Sequence, residues 1–209
     1  MSAILNFLCR VPRIPCQVRI WYYRWWNPIR FRMNGITLGE HSNIINRLFL
    51  FKEPEAHISI GKWFTLTSGE AFNPICRIQM ACLCARGKGK IVIGDNVGMS
   101  SPCIWATNLV KFGNRVLIGG DCLIMDNDAH NIDAIERRNP VLAMKIKSAP
   151  IVIEDDVFIG ARCTVLKGVT IGARSVIGAG SVVTKSIPAD CIAAGNPCRV
   201  IRRIEKSSV

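Results

Sequence analysis

Acidic residues are scarce in this sequence, and residues 1–39 contain none. The 209-residue chain has 27 lysines and arginines against 15 aspartates and glutamates, a formal net charge of +12. Long apolar runs are missing as well: no stretch of about 18 uncharged apolar residues occurs, so we expect no membrane-spanning helix. Histidine occurs only as His41, His57 and His130, which leaves few candidates for a histidine-based site.

The ten cysteines lack the C-x-x-C spacing that is typical of structural zinc sites. Cys103, Cys122 and Cys163 fall where a small inward side chain is expected in the repeat described next, and there Cys acts as a compact hydrophobe. We therefore expect that the protein binds no metal and that its thiols are free. We also expect a reducing, cytoplasmic compartment.

A six-residue repeat dominates the second half of the chain. Its aliphatic positions are Ile153, Ile159, Val165, Ile171, Ile177 and Val183. Four residues after each of them comes a second, mostly small position, occupied by Val157, Cys163, Val169, Ser175, Ser181 and Ile187. A period of six fits neither an α-helix nor an alternating sheet; it predicts a solenoid of short strands, about 18 residues to each triangular coil.

The same repeat can be followed upstream, with interruptions. Ile93, Phe112 and Ile118 each open a hexad, Leu38 and Ile60 mark less regular ones, and two hydrophobic stretches, 44–51 and 75–83, interrupt the count. The repeat fails between Asn127 and Pro150, which predicts a loop extruded from one corner, where solenoids often carry function. We predict an N-terminal extension (1–34), a solenoid domain (35–204) with a loop near 127–150, and a tail (205–209).

The N-terminal extension combines six arginines with aromatic residues, among them Trp21, Trp25 and Trp26. This composition suits peripheral contact with a membrane, where aromatic rings lie at headgroup depth and cations meet anionic lipid. A helical cap whose aromatic residues cover the first coil or a neighbouring subunit is the alternative, and nucleic acid is disfavoured because no recognised binding module accompanies the segment. Pro12, Pro15 and Pro28 argue against one long helix.

Three motifs resemble those of the hexapeptide-repeat acetyltransferases, in particular the sugar and polysaccharide O-acetyltransferases. They are 156–160 (DVFIG), 177–185 (IGAGSVVTK) and 194–202 (AGNPCRVIR), in the order and frame of that family. The resemblance implies an all-β fold, a left-handed parallel β-helix. It also implies a homotrimer with active sites between subunits, and acetyl-CoA as the donor.

His130 stands where the repeat breaks, and the family's catalytic base is a histidine on such a corner. Imidazole suits this role because its ordinary pKa of about 6.5 leaves much of it neutral near pH 7. If the corner is extended, Asp126, Asp128 and His130 point to one side. We therefore predict Asp128 as a catalytic partner and Asp126 as a substrate contact, with anchoring of loop amides as the alternative for both. Ser100 aligns with a substrate-binding position that is Asn in some relatives.

The resemblance also implies the donor contacts. Ala161 and Ala179 match small residues along the pantetheine arm, Thr184 and Lys185 match the next contact, and Arg199 and Arg202 match arginines on the phosphate side. Arginine suits phosphate because its planar fork donates two hydrogen bonds.

These residues predict an acetyl-CoA-dependent O-acetyltransferase acting on a carbohydrate hydroxyl, the acceptor being free, polymeric or carried on lipid. A thioester is already activated, so direct attack in a ternary complex suffices and no acetyl-cysteine intermediate is needed. A catalytically inactive β-helix that serves as a scaffold is the alternative from another class. A zinc carbonic anhydrase with the same fold is disfavoured because the three histidines lack its spacing.

Overall fold

A computed structural model of the chain describes residues 16–69 and 79–205. Within these residues, twenty short strands form three sheets around a common core, with a helix at one end. The helices are α1 (Cys16–Met33) and α2 (Ala134–Arg138), followed by a 3-10 turn (Leu142–Met144). The strands are β1 (Thr37–Leu38), β2 (Asn43–Ile45), β3 (Phe49–Lys52), β4 (His57–Ile60), β5 (Thr65–Thr67), β6 (Cys82–Ala85), β7 (Lys90–Ile93), β8 (Gly98–Ser100), β9 (Cys103–Ala106), β10 (Leu109–Phe112), β11 (Leu117–Ile118), β12 (Leu123–Met125), β13 (Ile151–Ile153), β14 (Phe158–Ile159), β15 (Thr164–Leu166), β16 (Thr170–Ile171), β17 (Val176–Ile177), β18 (Val182–Val183), β19 (Cys191–Gly195) and β20 (Cys198–Arg203).

The three sheets are the faces of a triangular prism. Face A contains β1, β4, β7, β10, β13 and β16, face B contains β2, β5, β8, β11, β14, β17, β19 and β20, and face C contains β3, β6, β9, β12, β15 and β18. One strand from each face makes a coil, so coil 1 is β1 to β3 and coil 6 is β16 to β18. The strands of successive coils in the described part of the chain pair in parallel, and among these strands β20 alone runs antiparallel, against β19.

The six-residue repeat builds the core as predicted. All six aliphatic positions from Ile153 to Val183 are fully buried, and the second inward positions are at most 4% exposed. Phe158 pairs with Val176 and Thr164 with Val182, which is the predicted offset of 18 residues per coil. Stacking these positions gives one continuous apolar core along the prism axis.

Residues at the corner between faces A and B adopt positive φ in every coil. They are His41, Trp63, Asn96, Arg115, Asp156 and Arg174, with φ between 56° and 61°. This left-handed conformation turns the chain from one face to the next within a few residues. The parallel β-helix thus depends on corner geometry as much as on its apolar positions.

Two predictions about the first half of the chain are wrong. Cys103 does not point inward: it pairs with Leu123 and is half-buried, because Ser101 and Pro102 occupy the buried turn instead. The stretch 44–51 does not interrupt the six-residue count either, since Leu38, Ile44 and Leu50 are six residues apart and all pack in or against the core. Part of the other stretch, 75–78, lies outside the described residues.

Helix α1 closes the first coil and continues through Pro28, so this proline does not end the helix, although we predicted that the three prolines argue against one long helix. Two side chains of this helix, Asn27 and Phe31, are fully buried between the helix and the first coil. The Asn27 side-chain amide donates to the carbonyls of Ile44 and Asn46 (2.9 and 3.1 Å), and Arg30 donates to Leu48 (2.9 Å). These contacts offset the hydrogen bond that proline removes, and they satisfy carbonyls on the free edge of coil 1. Pro12 and Pro15 lie outside the described residues.

Among the helices of residues 16–69 and 79–205, none is long and apolar enough to cross a bilayer. Helix α1 spans 18 residues but carries four arginines.

Candidate active site

The predicted loop leaves the prism between β12 on face C and β13 on face A, at the corner that joins these two faces (the C/A corner). Its two ends are paired, because Asn127 and Ser148 form an antiparallel bridge and Ala149 donates to the Asp126 carbonyl (2.9 Å). Further out, Asp133 caps the short helix α2 by accepting from two backbone amides. The loop is thus structured, and backbone hydrogen bonds hold its two ends together as a stem.

Asp126 anchors this stem from inside. Its carboxylate is fully buried and accepts from the backbone amides of Thr107 (2.8 Å) and Asn108 (2.7 Å), from the Thr107 hydroxyl, and from the Asn127 side chain. A carboxylate so enclosed and so fully hydrogen-bonded presents no oxygen to an outside molecule. This arrangement corrects the prediction that Asp126 contacts substrate and favours the anchoring alternative.

The corner is not extended, so the predicted alignment of Asp126, Asp128 and His130 on one side is also wrong. Ala129 has a φ of 60°, and the His130 amide donates back to the Asp128 carbonyl at 2.6 Å. The backbone therefore turns sharply between the two aspartates and the histidine. Asp126 points into the prism, whereas His130 is exposed to solvent.

Asp128 forms an ion pair with Lys167, which follows β15 at the same corner of the next coil. The two side chains are only 20% and 27% exposed, so the pair is partly shielded from water. Sequence reasoning missed Lys167, because nothing local links it to a residue 39 positions earlier. In a single chain, the Asp128 carboxylate contacts the Lys167 ammonium group and not the His130 imidazole.

His130 stands at the base of the loop with its imidazole in solvent. Neither ring nitrogen hydrogen-bonds to any residue within 16–69 or 79–205. Both nitrogens can therefore reach a molecule outside the chain, which a general base requires.

Small residues line the corner between faces B and C (the B/C corner). One alanine stands at this corner in each of three successive levels. Ala161 follows β14 and Ala179 follows β17, and Ala194 comes directly after the residue of β19 that pairs with β17. Backbones approach closely here: a Cβ at Gly160 would come within 2.6 Å of the Ala179 nitrogen, and one at Gly178 within 2.8 Å of the Ala194 Cβ. The predicted contacts Ala161 and Ala179 thus belong to one continuous wall, which sequence reasoning did not extend to Ala194.

Buried thiols support this wall from inside. Cys122 and Cys163 are fully buried, as predicted, and their Sγ atoms lie 3.1 Å from the carbonyls of Gly160 and Gly178. The hydrogen bond with Cys163 and burial both raise the pKa of the Cys122 thiol, so it remains protonated and donates. These cysteines hold corner carbonyls and are inaccessible as nucleophiles.

Arg199 extends the B/C wall beyond the last coil. In the antiparallel pair of β19 and β20, Arg199 lies opposite Ala194, and Arg202 lies opposite Ile192. Both side chains are exposed. Thr184 and Lys185 are exposed too, but they follow β18 and so lie at the C/A corner, the same corner as His130.

The predicted residues therefore occupy two corners of the prism, in a regular order along its axis. At the B/C corner, Ser100 lies in coil 3, Ala161 in coil 5, Ala179 in coil 6 and Arg199 at the end. The Ser100 hydroxyl accepts from Thr67 at 3.2 Å. At the C/A corner, His130 follows coil 4, the level between Ser100 and Ala161. No single corner of one chain contains the whole set.

Face C, which separates these corners, is apolar on its outer surface. Its outward side chains are Phe49, Phe51, Cys82, Cys84, Cys103, Trp105, Leu123, Met125, Thr164, Leu166 and Val182. The indole nitrogen of Trp105 is buried without a hydrogen-bond partner in the described part of the chain. By contrast, face A carries outward cations such as Lys90 and Lys111.

The histidines do not form a metal site. His41 stacks on Trp63 at 4.1 Å between ring centroids, His57 begins β4, and His130 is in the loop. No group of three or more His, Cys, Asp or Glu that could hold a metal ion occurs in the described residues.

Comparison with known proteins supports this architecture. Residues 150–185 match the family model described as the hexapeptide repeat of succinyl-transferase. A provisionally named acetyltransferase of Saccharomyces cerevisiae is 43% identical over 124 residues, covering 56% of this chain and 59% of that protein. The galactoside O-acetyltransferase of Escherichia coli is 46% identical over 95 residues, 46% of this chain and 44% of that protein.

A solved structure of a galactoside acetyltransferase in complex with coenzyme A has a TM-score of 0.55 and 29% sequence identity, covering 86% of this chain and 70% of that one. The chain is thus similar in sequence and fold to hexapeptide-repeat acetyltransferases, and the predicted left-handed parallel β-helix is confirmed. It spans less than two thirds of the length of the curated relatives that it matches first.

Proposed function

We propose that the protein is an acetyl-CoA-dependent O-acetyltransferase that acetylates a carbohydrate hydroxyl. The observation that carries this proposal is the order of residues along the prism axis. His130 lies at the level between Ser100 on one side and the small wall of Ala161 and Ala179 on the other. A base between an acceptor site and a donor groove is what acetyl transfer requires.

We further propose a homotrimer in which face C turns toward the threefold axis. When this face of each chain turns toward the axis, the C/A corner of one chain lies next to the B/C corner of the neighbouring chain. His130, Thr184 and Lys185 of one chain would then meet Ser100, Ala161 and Ala179 of the next, and each level along the axis is preserved. The apolar outer surface of face C supports this arrangement, because the trimer would cover it.

The proposed chemistry is a direct transfer. The neutral His130 imidazole takes the proton of the acceptor hydroxyl while its oxygen attacks the thioester carbonyl, and the proton then passes to the departing thiolate. Asp128 holds the loop through Lys167 and so positions His130. Arg199 and Arg202, which carry exposed positive charge at the end of the wall, would bind the donor's phosphates. Relatives that are named for acetyl transfer to galactoside and that bind coenzyme A support the donor and the acceptor class.

Calorimetric titration with acetyl-CoA tests the donor site without knowledge of the acceptor. We expect saturable binding near one site per chain, lost in an Arg199→Gln/Arg202→Gln double variant. Lys90→Gln/Lys111→Gln is the matched control, because it removes two exposed cations from face A. Absence of binding by the folded wild-type chain would refute the transferase proposal and leave the scaffold alternative.

A further inference from the structure

Helix α1 presents a largely aromatic stripe on a side that is exposed to solvent. The stripe consists of Val18, Trp21, Tyr22 and Trp25, whose exposures are 49, 72, 44 and 60%. These residues recur at helical spacing and so lie on one side of the helix. Large exposed indoles are costly in water, and this stripe therefore marks an interaction surface.

The position of the helix fixes the direction of this surface. The opposite side of α1 contains the buried Asn27, whose amide donates to carbonyls at the free edge of β2. Helix α1 thus covers the end of the solenoid, and the aromatic stripe points outward along the prism axis. A trimer with parallel prism axes would present three such stripes on one flat end.

Positive charge accompanies the stripe without acidic partners. Arg24 and Arg32 are exposed, and neither forms an ion pair with any residue of the described ranges. No acidic residue occurs in α1. The surface therefore combines indole rings with unpaired cations, the pairing of groups that is found at the interface of an anionic bilayer.

A second copy of the chain fits this surface less well. Pairing of two α1 helices through the same stripe would bring together two helices that each carry four arginines and no acidic residue. Like charges brought together in this way oppose association. An anionic surface has the opposite sign and can accept both the rings and the guanidinium groups.

We propose that the aromatic stripe of α1, together with Arg24 and Arg32, docks the protein on an anionic lipid surface. The rings lie at headgroup depth, and the prism stands with its axis away from the membrane. His130 is then three coil spacings of ~4.8 Å plus a helix diameter of ~10 Å above the surface, about 25 Å in all. A saccharide that projects from a lipid would reach that height, and this consequence, unlike docking itself, rests on the proposed function.

Sedimentation of the full chain with vesicles tests the docking separately from acetyl transfer. We expect binding to vesicles of equimolar phosphatidylcholine and phosphatidylglycerol, weakened by added salt, and little binding to phosphatidylcholine alone. Trp21→Ser/Trp25→Ser and Arg24→Glu/Arg32→Glu should each lower the partition coefficient at least about tenfold. Trp63→Ser and Lys111→Glu are matched controls, because they remove an exposed indole and an exposed cation elsewhere and should leave binding unchanged.

The arginine variant keeps the test valid if loss of both indoles impairs folding, since Arg24 and Arg32 are at the surface. Retention of vesicle binding in both double variants, or no binding by the wild-type chain, would overturn the proposal. It would also be overturned if the tryptophan variant forms smaller oligomers than the wild type, because the stripe would then be a protein interface. Displacement from vesicles by a DNA duplex that binds through the same residues would assign the surface to nucleic acid instead.

Discussion

The buried carboxylate of Asp126 offers the sharpest test of how the loop is held. In Asp126→Ala, the amides of Thr107 and Asn108 lose their acceptor at once. A buried donor without a partner costs roughly 1–3 kcal/mol. Thr107 is half-buried and Asn108 is exposed, so water replaces part of the loss, and we expect a destabilisation of about 2–3 kcal/mol. At roughly 2–4 °C per kcal/mol for a chain of this size, Tm should fall by about 4–12 °C.

Thermal unfolding followed by circular dichroism measures this effect, and Asp133→Asn is its control. Asp133 caps α2 on the exposed part of the same loop, and asparagine caps helices equally well, so Tm should not change. Acetyl transfer by Asp126→Ala should fall because His130 is less well positioned, with little change in acceptor KM. A variant with wild-type Tm and a specifically raised acceptor KM would refute the anchoring role and restore the substrate contact.

Three further predictions follow from the proposed site. His130→Ala should lower kcat by about 10²- to 10⁴-fold without changing acetyl-CoA affinity, and near-normal turnover would remove His130 from the chemistry. Ala179→Trp should fill the wall and raise the acetyl-CoA Kd by at least about tenfold while circular dichroism stays unchanged; unaltered affinity would place the donor elsewhere. Leu166→Glu should dissociate the trimer in sedimentation velocity, whereas Val152→Glu on face A should not, and intact trimers in both would exclude face C as the interface.

The coils could be predicted from the sequence because each hexad repeats the same local requirement. Inward positions such as Ile159 and Val165 must be apolar to build a continuous core, and their period survives in the sequence. The loop could be predicted for the same reason, since the period fails there. Its position places His130 at a corner and outside the core.

The sequence could not predict contacts between distant residues, nor the local turns within the loop. The pairing of Asp128 with Lys167 joins neighbouring coils, and the positive φ at Ala129 reverses the side on which His130 appears. Neither has a periodic pattern. Helix α1 passes through Pro28 because buried contacts of Asn27 hold it, and such tertiary contacts override local propensity.

The central claim is that the site is assembled from two chains, and subunit complementation tests it directly. His130→Ala and Ala179→Trp chains are unfolded together, refolded as an equimolar mixture, and assayed for transfer of radiolabelled acetyl to a sugar that the wild-type enzyme acetylates. A functional interface needs an intact His130 from one chain and an intact Ala179 from the next, so random assembly restores about one quarter of wild-type activity. Activity no higher than that of the two variants refolded separately would contradict the account, because each chain would then contain its own complete site.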